Sequence, residues 1–143
     1  MDELDIIVVQ RASADDLERI ERGLASHAAG KVEARHYLPV SVLVRQSDGE
    51  VVGGLRGATV WSWLQIKHLW VREDLRNGGL GSRLVEAAEE EAIKRGCRSA
   101  WVDTFSFQAV EFYHRLGYEE FANLGDFPAG ESRVFLKKVQ LQP

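Results

Sequence analysis

The sequence is poor in cysteine, in long apolar runs and in spaced metal ligands, and each shortage excludes a class of protein. Cys97 is the single cysteine among 143 residues, which rules out an intramolecular disulfide and a thiolate metal cluster. No apolar run approaches the roughly 20 residues of a membrane-spanning helix. The first ten residues are acidic, whereas a secretory signal starts with basic residues. The four histidines do not have metal-ligand spacing. We therefore expect a cytoplasmic protein without a metal.

Basic charge is also scarce. Lysine and arginine number 18 against 22 acidic residues, which gives a formal net charge of −4. A broad nucleic-acid surface usually needs a basic face, so the balance argues against such a partner. The hydrophobic share of 45% and the charged share of 28% are those of an ordinary globular protein. No repeat or linker is visible, and we expect one domain over residues 1–143.

The apolar periodicity predicts the element order β-α-β-β-β-α-β-α-β-β, a mixed sheet with helices on its faces. The Ile- and Val-rich residues 2–12 indicate a buried strand. Ser13 opens a helix with two acids in its first turn, where the helix dipole favours them. Residues 26–39 are ambiguous, and a second short helix ending before Pro39 is one interpretation.

Two strands joined by Ser47-Asp48-Gly49 come next, a typical hairpin signal. Gly53 and Gly54 in the second of these strands indicate a bulge or a close backbone approach. A third strand covers residues 61–71. Its alternation places one set of side chains on the same face, namely Leu64, Ile66, His68 and Trp70.

The second half of the chain predicts two helices and three strands. A helix from Gly79 to Arg95 ends at Gly96, with an inner apolar stripe that includes Leu84 and with Glu89 outside. Residues 99–105 form a strand. Ser106 is expected to cap a helix that carries Tyr113 and ends at Gly117. Two strands, near residues 118–122 and 133–140, close the fold.

The stretch LWVREDLRNGGLGSRL, residues 69–84, concentrates glycine between a strand and a helix. The backbone N–H groups from Asn77 to Gly81 would be unpaired donors at a helix start, where the dipole attracts anions. Gly78 and Gly79 would leave room for a phosphate, and Arg76 could add a guanidinium contact. A plain surface turn is the alternative interpretation.

Two familiar phosphate motifs are excluded by spacing. A P-loop needs a lysine directly after its last glycine, and none follows here. A dinucleotide fingerprint needs a third glycine three residues beyond Gly81, where this chain has Leu84, and it opens a βαβ unit. The junction in this chain follows three consecutive strands instead.

The remaining pattern, Arg-x-x-Gly-x-Gly at Arg76, Gly79 and Gly81, resembles the acetyl-CoA pyrophosphate loop of the GNAT-type N-acetyltransferases. FQAVEFYHRLGY, residues 107–118, is similar to the family's tyrosine-bearing helix. The resemblance covers nearly the whole chain. It implies an α/β (mixed α+β) fold of the GNAT type, with a mostly antiparallel sheet of about six to seven strands flanked by helices on both faces. The implied cofactor-binding residues are Leu69, Trp70, Val71, Arg76, Asn77, Gly78, Gly79, Leu80, Gly81 and Ser82.

The resemblance implies that an amine attacks the thioester of acetyl-CoA directly, in a ternary complex. Backbone groups of Leu69 and Val71 would pair with the pantetheine arm. Tyr113 aligns with the tyrosine that protonates the departing thiolate. His68, on the cofactor-binding strand, is the candidate base because imidazole titrates near pH 6.5. As an isolated feature, either side chain could equally be a core residue.

The family often has a glutamate near the position of Lys67 or His68, and this chain has none there. Three other residues are alternative bases, namely Glu33, His36 and Asp103, and a water relay stays open. The acceptor, a small-molecule or peptide amine, would be selected by residues 26–39 and 123–132. In the second segment, Asp126 and Glu131 could attract a cationic amine.

Three further expectations concern partners and rival functions. A homodimer is common in this family. A non-catalytic acyl-CoA sensor is the first rival function, since the base is poorly defined. Acetylation of aminoacyl-tRNA is the second, and the acidic charge balance disfavours it.

Overall fold

The structure is a computed structural model that describes residues 3–142. These residues divide into two compact units, 3–34 and 35–142. The single domain over residues 1–143 therefore stays a prediction. No helix within residues 3–142 is long and apolar enough to cross a membrane.

The first unit contains helix α1, Ala14–Ala28. Its start is fixed by Ser13, whose Oγ accepts a hydrogen bond from the backbone N–H of Asp16 at 3.1 Å, as the sequence predicts. The buried strand expected before it is wrong over its described part: residues 3–12 form no strand, and Ile6 is 98% exposed. An apolar run rich in Ile and Val forms a strand only where a neighbouring strand hydrogen-bonds its backbone N–H and C=O groups. The second short helix is also absent.

The second unit contains a six-stranded sheet and two α-helices. The strands are Leu38–Arg45 (β1), Val51–Val60 (β2), Trp63–Val71 (β3), Ser99–Phe105 (β4), Glu119–Gly125 (β5) and Ser132–Lys138 (β6). The helices are Leu80–Lys94 (α2) and Val110–Arg115 (α3), with a short 3-10 turn at Glu73–Leu75. The strand order is β1-β2-β3-β4-β6-β5, and β3 with β4 is the one parallel pair. The predicted mixed, mostly antiparallel sheet of six to seven strands is confirmed.

The hydrophobic core lies on one face of this sheet, beneath α2 and α3. It includes Leu64 and Ile66 of β3, both fully buried, and the predicted inner stripe of α2. Both helices of this unit pack on that face. We call it the core face and the other side of the sheet the outer face.

Glu89 corrects the predicted helix pattern, because it is only 8% exposed. Its carboxylate accepts hydrogen bonds from the Tyr118 hydroxyl at 2.7 Å and from Lys138 Nζ at 3.2 Å. Those partners lie far along the chain, so helical periodicity alone predicts a solvated glutamate. Their polar atoms satisfy the carboxylate that would otherwise be costly to bury.

A bulge in β3 overturns the predicted alternation of its side chains. Arg56 of β2 is paired with His68, and the next residue, Gly57, is paired with Ile66, which leaves Lys67 as the extra residue. Leu69 and Val71 therefore pack against the core. The corresponding change places His68 and Trp70 on the outer face, opposite Leu64 and Ile66. The prediction that these four residues share a face is wrong.

The glycines of β2 allow close backbone contact. A Cβ atom at Gly57 would lie 2.2 Å from the Gln65 carbonyl oxygen, so glycine is required beside the bulge. At Gly53 and Gly54 the nearest carbonyl oxygens would be 3.2 and 3.0 Å away. The close approach predicted for this pair is confirmed. The register with β1 is also irregular beside Gly53, where Val44 pairs with Gly53 and Arg45 with Val51, and the register with β3 is irregular at Gly57.

Ser106 does not cap α3, contrary to expectation. The helix begins at Val110, and Ala109 at its N-cap makes no side-chain cap bond. Instead, Ser106 Oγ accepts a hydrogen bond from the backbone N–H of Ser132 at 2.9 Å and bonds the Glu131 carboxylate. This serine joins the end of β4 to the loop between β5 and β6.

Candidate active site

Strands β3 and β4 separate halfway along their length. Their parallel ladder joins Trp63–Ile66 to Ser99–Val102 and then ends, although both strands continue. The bulge residue Lys67 lies where the ladder ends. Beyond it, the β4-facing edge of residues 67–71 has no strand partner. This β3–β4 cleft can accept an extended, amide-rich group as an additional strand.

The glycine loop, residues 76–82, follows the open half of β3. Asn77 and Gly79 both have left-handed backbones, with φ of +65° and +85°. Within the described chain, no hydrogen bond takes up the backbone N–H groups of residues 77–82, and α2 makes its first bond from Arg83 to the Gly79 carbonyl at 3.1 Å. A row of unbonded N–H groups at a helix start binds anions.

The glycines of this loop have different structural roles. A Cβ atom at Gly79 would meet no heavy atom within 4 Å, so its left-handed φ, not crowding within the protein, requires glycine. A Cβ atom at Gly81 would lie 3.2 Å from the Phe112 ring of α3. Gly81 therefore allows close packing of α2 against α3, while the backbone around Gly79 is open to a diphosphate.

Arg76 braces the loop. Its Nε donates a hydrogen bond to the Val71 carbonyl at 2.8 Å, which fixes the loop to the end of β3. The Val71 carbonyl is therefore occupied within the chain. Of the predicted backbone partners of the cofactor, Leu69 lies on the open half of β3 without this constraint, whereas the Trp70 carbonyl faces β2 beside Gly53. The guanidinium contact to a phosphate stays a prediction.

Tyr113 projects from α3 into the core and is 3% exposed. Its ring makes edge contacts with Phe112 and Tyr118, at centroid distances of 5.0 and 5.6 Å. Burial, followed by the negative charge of Asp103, raises the pKa of Tyr113 well above its usual range. The hydroxyl therefore stays protonated at neutral pH and can act as a hydrogen-bond donor. Its part in catalysis stays a prediction.

His68 lies on the outer face beside Arg56. The Arg56 Nη1 to His68 Nδ1 distance is 3.4 Å, and a guanidinium can only donate, so the Nδ1 lone pair is the acceptor. This contact assigns the proton of the neutral ring to Nε2. The basic nitrogen thus faces a cation, which weighs against His68 as a general base; its catalytic role stays a prediction.

Two further side chains complete this part of the outer face. Lys67 Nζ donates to the Tyr37 hydroxyl at 3.0 Å and lies 5.2 Å from the ring centroid. We call Tyr37, Arg56, Lys67 and His68 the bulge cluster. Sequence reasoning missed Tyr37 and Arg56 because their placement depends on the β1–β2–β3 register and on the bulge.

Asp103, an alternative base, lies on the part of β4 that pairs with β6 but not with β3. Its carboxylate forms an ion pair with Arg133 of β6, and its side chain is 15% exposed. The Arg133 guanidinium also lies 5.4 Å from the Phe135 ring centroid. The carboxylate is thus occupied by a cation within the chain, so the geometry does not favour Asp103 as the base.

The other predicted acids and bases belong to separate segments of the chain. Glu33 belongs to the unit of residues 3–34, and His36 is an exposed residue with φ of +51° just before β1. Asp126 accepts a hydrogen bond from the Gly130 N–H at 3.1 Å and shapes its own loop. Glu131 bonds Ser106. The acids expected to attract an amine therefore have structural partners.

An aromatic cavity lies on the outer face, near the closed end of the β3–β4 ladder. Its volume is about 510 Å³, within the usual range of small-molecule pockets. The lining residues are Trp63, Trp101, Phe121, Phe135 and Lys137. Among the residues that the structure describes, no cluster of potential metal ligands occurs.

The fold and the cleft are those of an acyltransferase that uses a coenzyme A thioester. Residues 12–118 match the family described as "Acetyltransferase (GNAT) family". The chain therefore belongs to the GNAT acetyltransferase family, and it is an acetyl-CoA-dependent acyltransferase.

Two curated relatives and one solved structure illustrate the similarity. Blasticidin-S acetyltransferase of Streptomyces morookaense is 44% identical over 122 residues, which cover 82% of this chain and 90% of the relative. Acetyltransferase Atu2258 of Agrobacterium fabrum is 31% identical over 94% of this chain and 98% of the relative. A crystal structure of an acetyltransferase from Agrobacterium tumefaciens matches with a TM-score of 0.88 at 31% identity, over 94% of this chain and 98% of that one.

Other structures of the same fold were solved with acetyl-CoA or coenzyme A. The residues of this chain fit such a co-substrate. The unbonded N–H groups of residues 77–82 suit a diphosphate, and the unpaired edge of β3 suits the amide-bearing arm.

Proposed function

We propose that the protein transfers the acetyl group of acetyl-CoA to the primary amine of a small molecule by direct attack within a ternary complex. The observation that carries this proposal is the β3–β4 cleft, which ends at the bulge and continues into the glycine loop. An anion site and an unpaired strand edge are thereby joined end to end. When bound, acetyl-CoA supplies the activated acetyl group as a thioester.

Different residues around the cleft would bind the co-substrate and catalyse the transfer. The backbone N–H groups of residues 77–82 hold the diphosphate, and the edge of β3 near Leu69 aligns the arm. A backbone N–H on the same edge stabilises the negative charge that develops on the carbonyl oxygen. Tyr113, kept protonated by burial, donates to the sulfur as it departs.

Deprotonation of the amine is the step with the least side-chain support. An amine with a pKa of ~10.4 costs about 4.6 kcal/mol to deprotonate at pH 7, at 1.36 kcal/mol for each pH unit. His68 and Asp103 both have cationic partners. We therefore assign the proton to a water relay, and an acceptor amine of lower pKa would react faster.

A covalent acyl-enzyme is disfavoured by the state of Cys97, the one cysteine. The residue is buried, and burial raises the pKa of its thiol. The nucleophilic thiolate is therefore scarce at neutral pH. Direct attack by the amine needs no such group.

The test is an acceptor screen that measures release of the coenzyme A thiol. Blasticidin S is the first acceptor to try, because a relative of 44% identity is named for it; polyamines, amino acids and peptides follow. We expect turnover with at least one amine and intersecting double-reciprocal plots, as a ternary complex requires. Parallel plots would indicate an acyl-enzyme, and absence of thiol release with every amine would refute the proposal.

A further inference from the structure

The bulge cluster contains two cations, Arg56 and Lys67, that form no ion pair with a carboxylate of residues 3–142. Lys67 Nζ donates to the Tyr37 hydroxyl, and Arg56 contacts His68 Nδ1. Neither side chain forms an ion pair there, in contrast to Arg72, Arg95, Arg133 and Lys138. The two free cations lie on the outer face at the mouth of the β3–β4 cleft.

The same cations lower the pKa of Tyr37. The hydrogen bond from Lys67 has the largest effect; it outweighs the opposing effect of burial, and the charges of Lys67, Arg56 and Arg35 add to it. No carboxylate contributes to the shift. Because the phenolate is an anion, a site that favours it also favours other anions of similar size.

From this arrangement we propose that the acceptor amine carries a carboxylate, which Arg56 and Lys67 bind beside the bulge while the amine faces the cleft. The inference rests on the proposed amine acetylation and names its substrate class. It reverses the expectation that acids of the β5–β6 loop attract a cationic amine, since those acids are bonded within the loop and to Ser106.

The geometry supports simultaneous contact by both cations. His68 and Lys67 are adjacent in β3, and Arg56 is the cross-strand partner of His68. Directly opposed residues in an antiparallel pair have Cβ atoms about 5 Å apart, so the long side chains of Arg56 and Lys67 can reach one carboxylate. Arg56 offers the planar fork that matches a carboxylate, and Lys67 a point charge.

The experiment compares acceptor amines with and without an anionic group. L-phenylalanine is measured against L-phenylalaninamide, and 4-aminobutyrate against n-butylamine. O-phosphoethanolamine against ethanolamine tests whether phosphate serves as well as carboxylate. Each compound is titrated calorimetrically into protein saturated with coenzyme A, and each is assayed separately for thiol release from acetyl-CoA.

We expect the carboxylated member of at least one pair to bind about tenfold more tightly than its neutral partner. Arg56→Gln and Lys67→Gln should each remove that advantage and leave the affinity of the neutral partner unchanged. Arg45→Gln is the matched control: it removes one exposed cation of β1, whose side chain contacts the Gly49 carbonyl, and should change neither affinity.

Three outcomes would overturn the inference: equal affinity within every carboxylated pair, preference for the phosphate compound alone, or an advantage that survives both substitutions. Calorimetry separates this question from the proposed function. Carboxylate-selective binding without thiol release from any amine would retain the binding site and refute amine acetylation. Thiol release from neutral amines alone would support amine acetylation and refute the carboxylate site.

Discussion

The glycine loop and the bulge cluster lie at opposite ends of the open half of β3, and they are built from different materials. The loop presents backbone N–H groups, and its geometry depends on left-handed residues such as Gly79. The bulge cluster presents side chains brought together from β2, β3 and the segment just before β1. A site made of backbone N–H groups tolerates side-chain substitutions as long as the glycines are present. A site made of side chains changes its ligand preference with a single substitution. The first suits a common co-substrate and the second a particular acceptor.

The largest effect should come from closing the backbone site. Gly79→Glu adds a negative charge and forces a side chain into a left-handed residue, which costs about 1–2 kcal/mol. We expect the variant to lose the rise in melting temperature that acetyl-CoA gives the unsubstituted protein. Thermal unfolding with and without acetyl-CoA checks this.

Gly49→Glu is the matched control for that substitution. Gly49 lies in the β1–β2 turn with φ of +91°, and a Cβ atom there would also meet nothing within 4 Å. This variant should be less stable yet keep its response to acetyl-CoA. Equal loss of the response in both variants would contradict the assignment of the loop.

The next effect concerns the buried hydroxyl of Tyr113. Tyr113→Phe keeps the ring packing and removes the donor. We expect kcat to fall about 100-fold, the lower range for general acid catalysis, with little change in the affinity for acetyl-CoA. Steady-state kinetics and calorimetry measure the two quantities, and an unaltered kcat would remove Tyr113 from the mechanism.

A smaller effect, on stability alone, should follow from Tyr118→Phe. This substitution deletes the hydrogen bond to the buried Glu89 carboxylate, which keeps its contact with Lys138. We expect a loss of about 1–3 kcal/mol in the free energy of unfolding, the usual consequence of an unmade buried bond. Urea denaturation measures it. Because Tyr118 only packs against Tyr113, kcat should stay within a factor of a few.

The smallest effect is a shift in the pKa of Tyr37, which a pH titration measures. Burial raises the pKa of both Tyr113 and Tyr118, whereas nearby cations lower that of Tyr37 from 10.0. Tyr37 should therefore ionise first of the three tyrosines as the pH rises. Ultraviolet absorbance of tyrosinate follows this, and Tyr37→Phe should abolish the first step.

Lys67→Met extends that titration. It removes the hydrogen bond and one positive charge, both of which favour the phenolate, so the pKa of Tyr37 should rise toward 10.0. Lys94→Met, an exposed lysine at the end of α2, is the control and should leave the titration unchanged. A titration that is insensitive to Lys67 would contradict the positive field at the bulge.

The contrast between the two regions also explains what the sequence could predict. Local signals placed the hairpin at Asp48, the start of α1 at Ser13 and the glycine loop, because each depends on residues adjacent in the chain. The bulge at Lys67 could not be predicted, since it depends on pairing with Gly57 across two strands. Once it is present, every residue beyond it changes face, and the predicted face of His68 failed for that reason.

Long-range pairs account for the other misses. Glu89 is typical of a solvated helix face until Tyr118 and Lys138 supply its partners. Ser106 has the right spacing for a cap, yet the β5–β6 loop takes up its hydroxyl. The Ile- and Val-rich residues before α1 have strand composition and no strand partner. Composition indicates how a segment can fold, and neighbours distant in sequence decide whether it does.

The short parallel ladder between β3 and β4 gives the sheet a natural seam. The ladder of residues 63–66 and 99–102 joins the three-stranded halves, with one more backbone bond from the Arg98 N–H to the Ser62 carbonyl at 3.2 Å. The mouth of the cleft begins where that ladder stops. The rate of amide exchange in the eight residues of the ladder would therefore measure the free energy needed to separate the two halves. Acetyl-CoA bound in the cleft would extend the ladder by pairing with the open half of β3. Its binding should therefore slow amide exchange across the sheet, and amide exchange would follow the occupancy of the cleft.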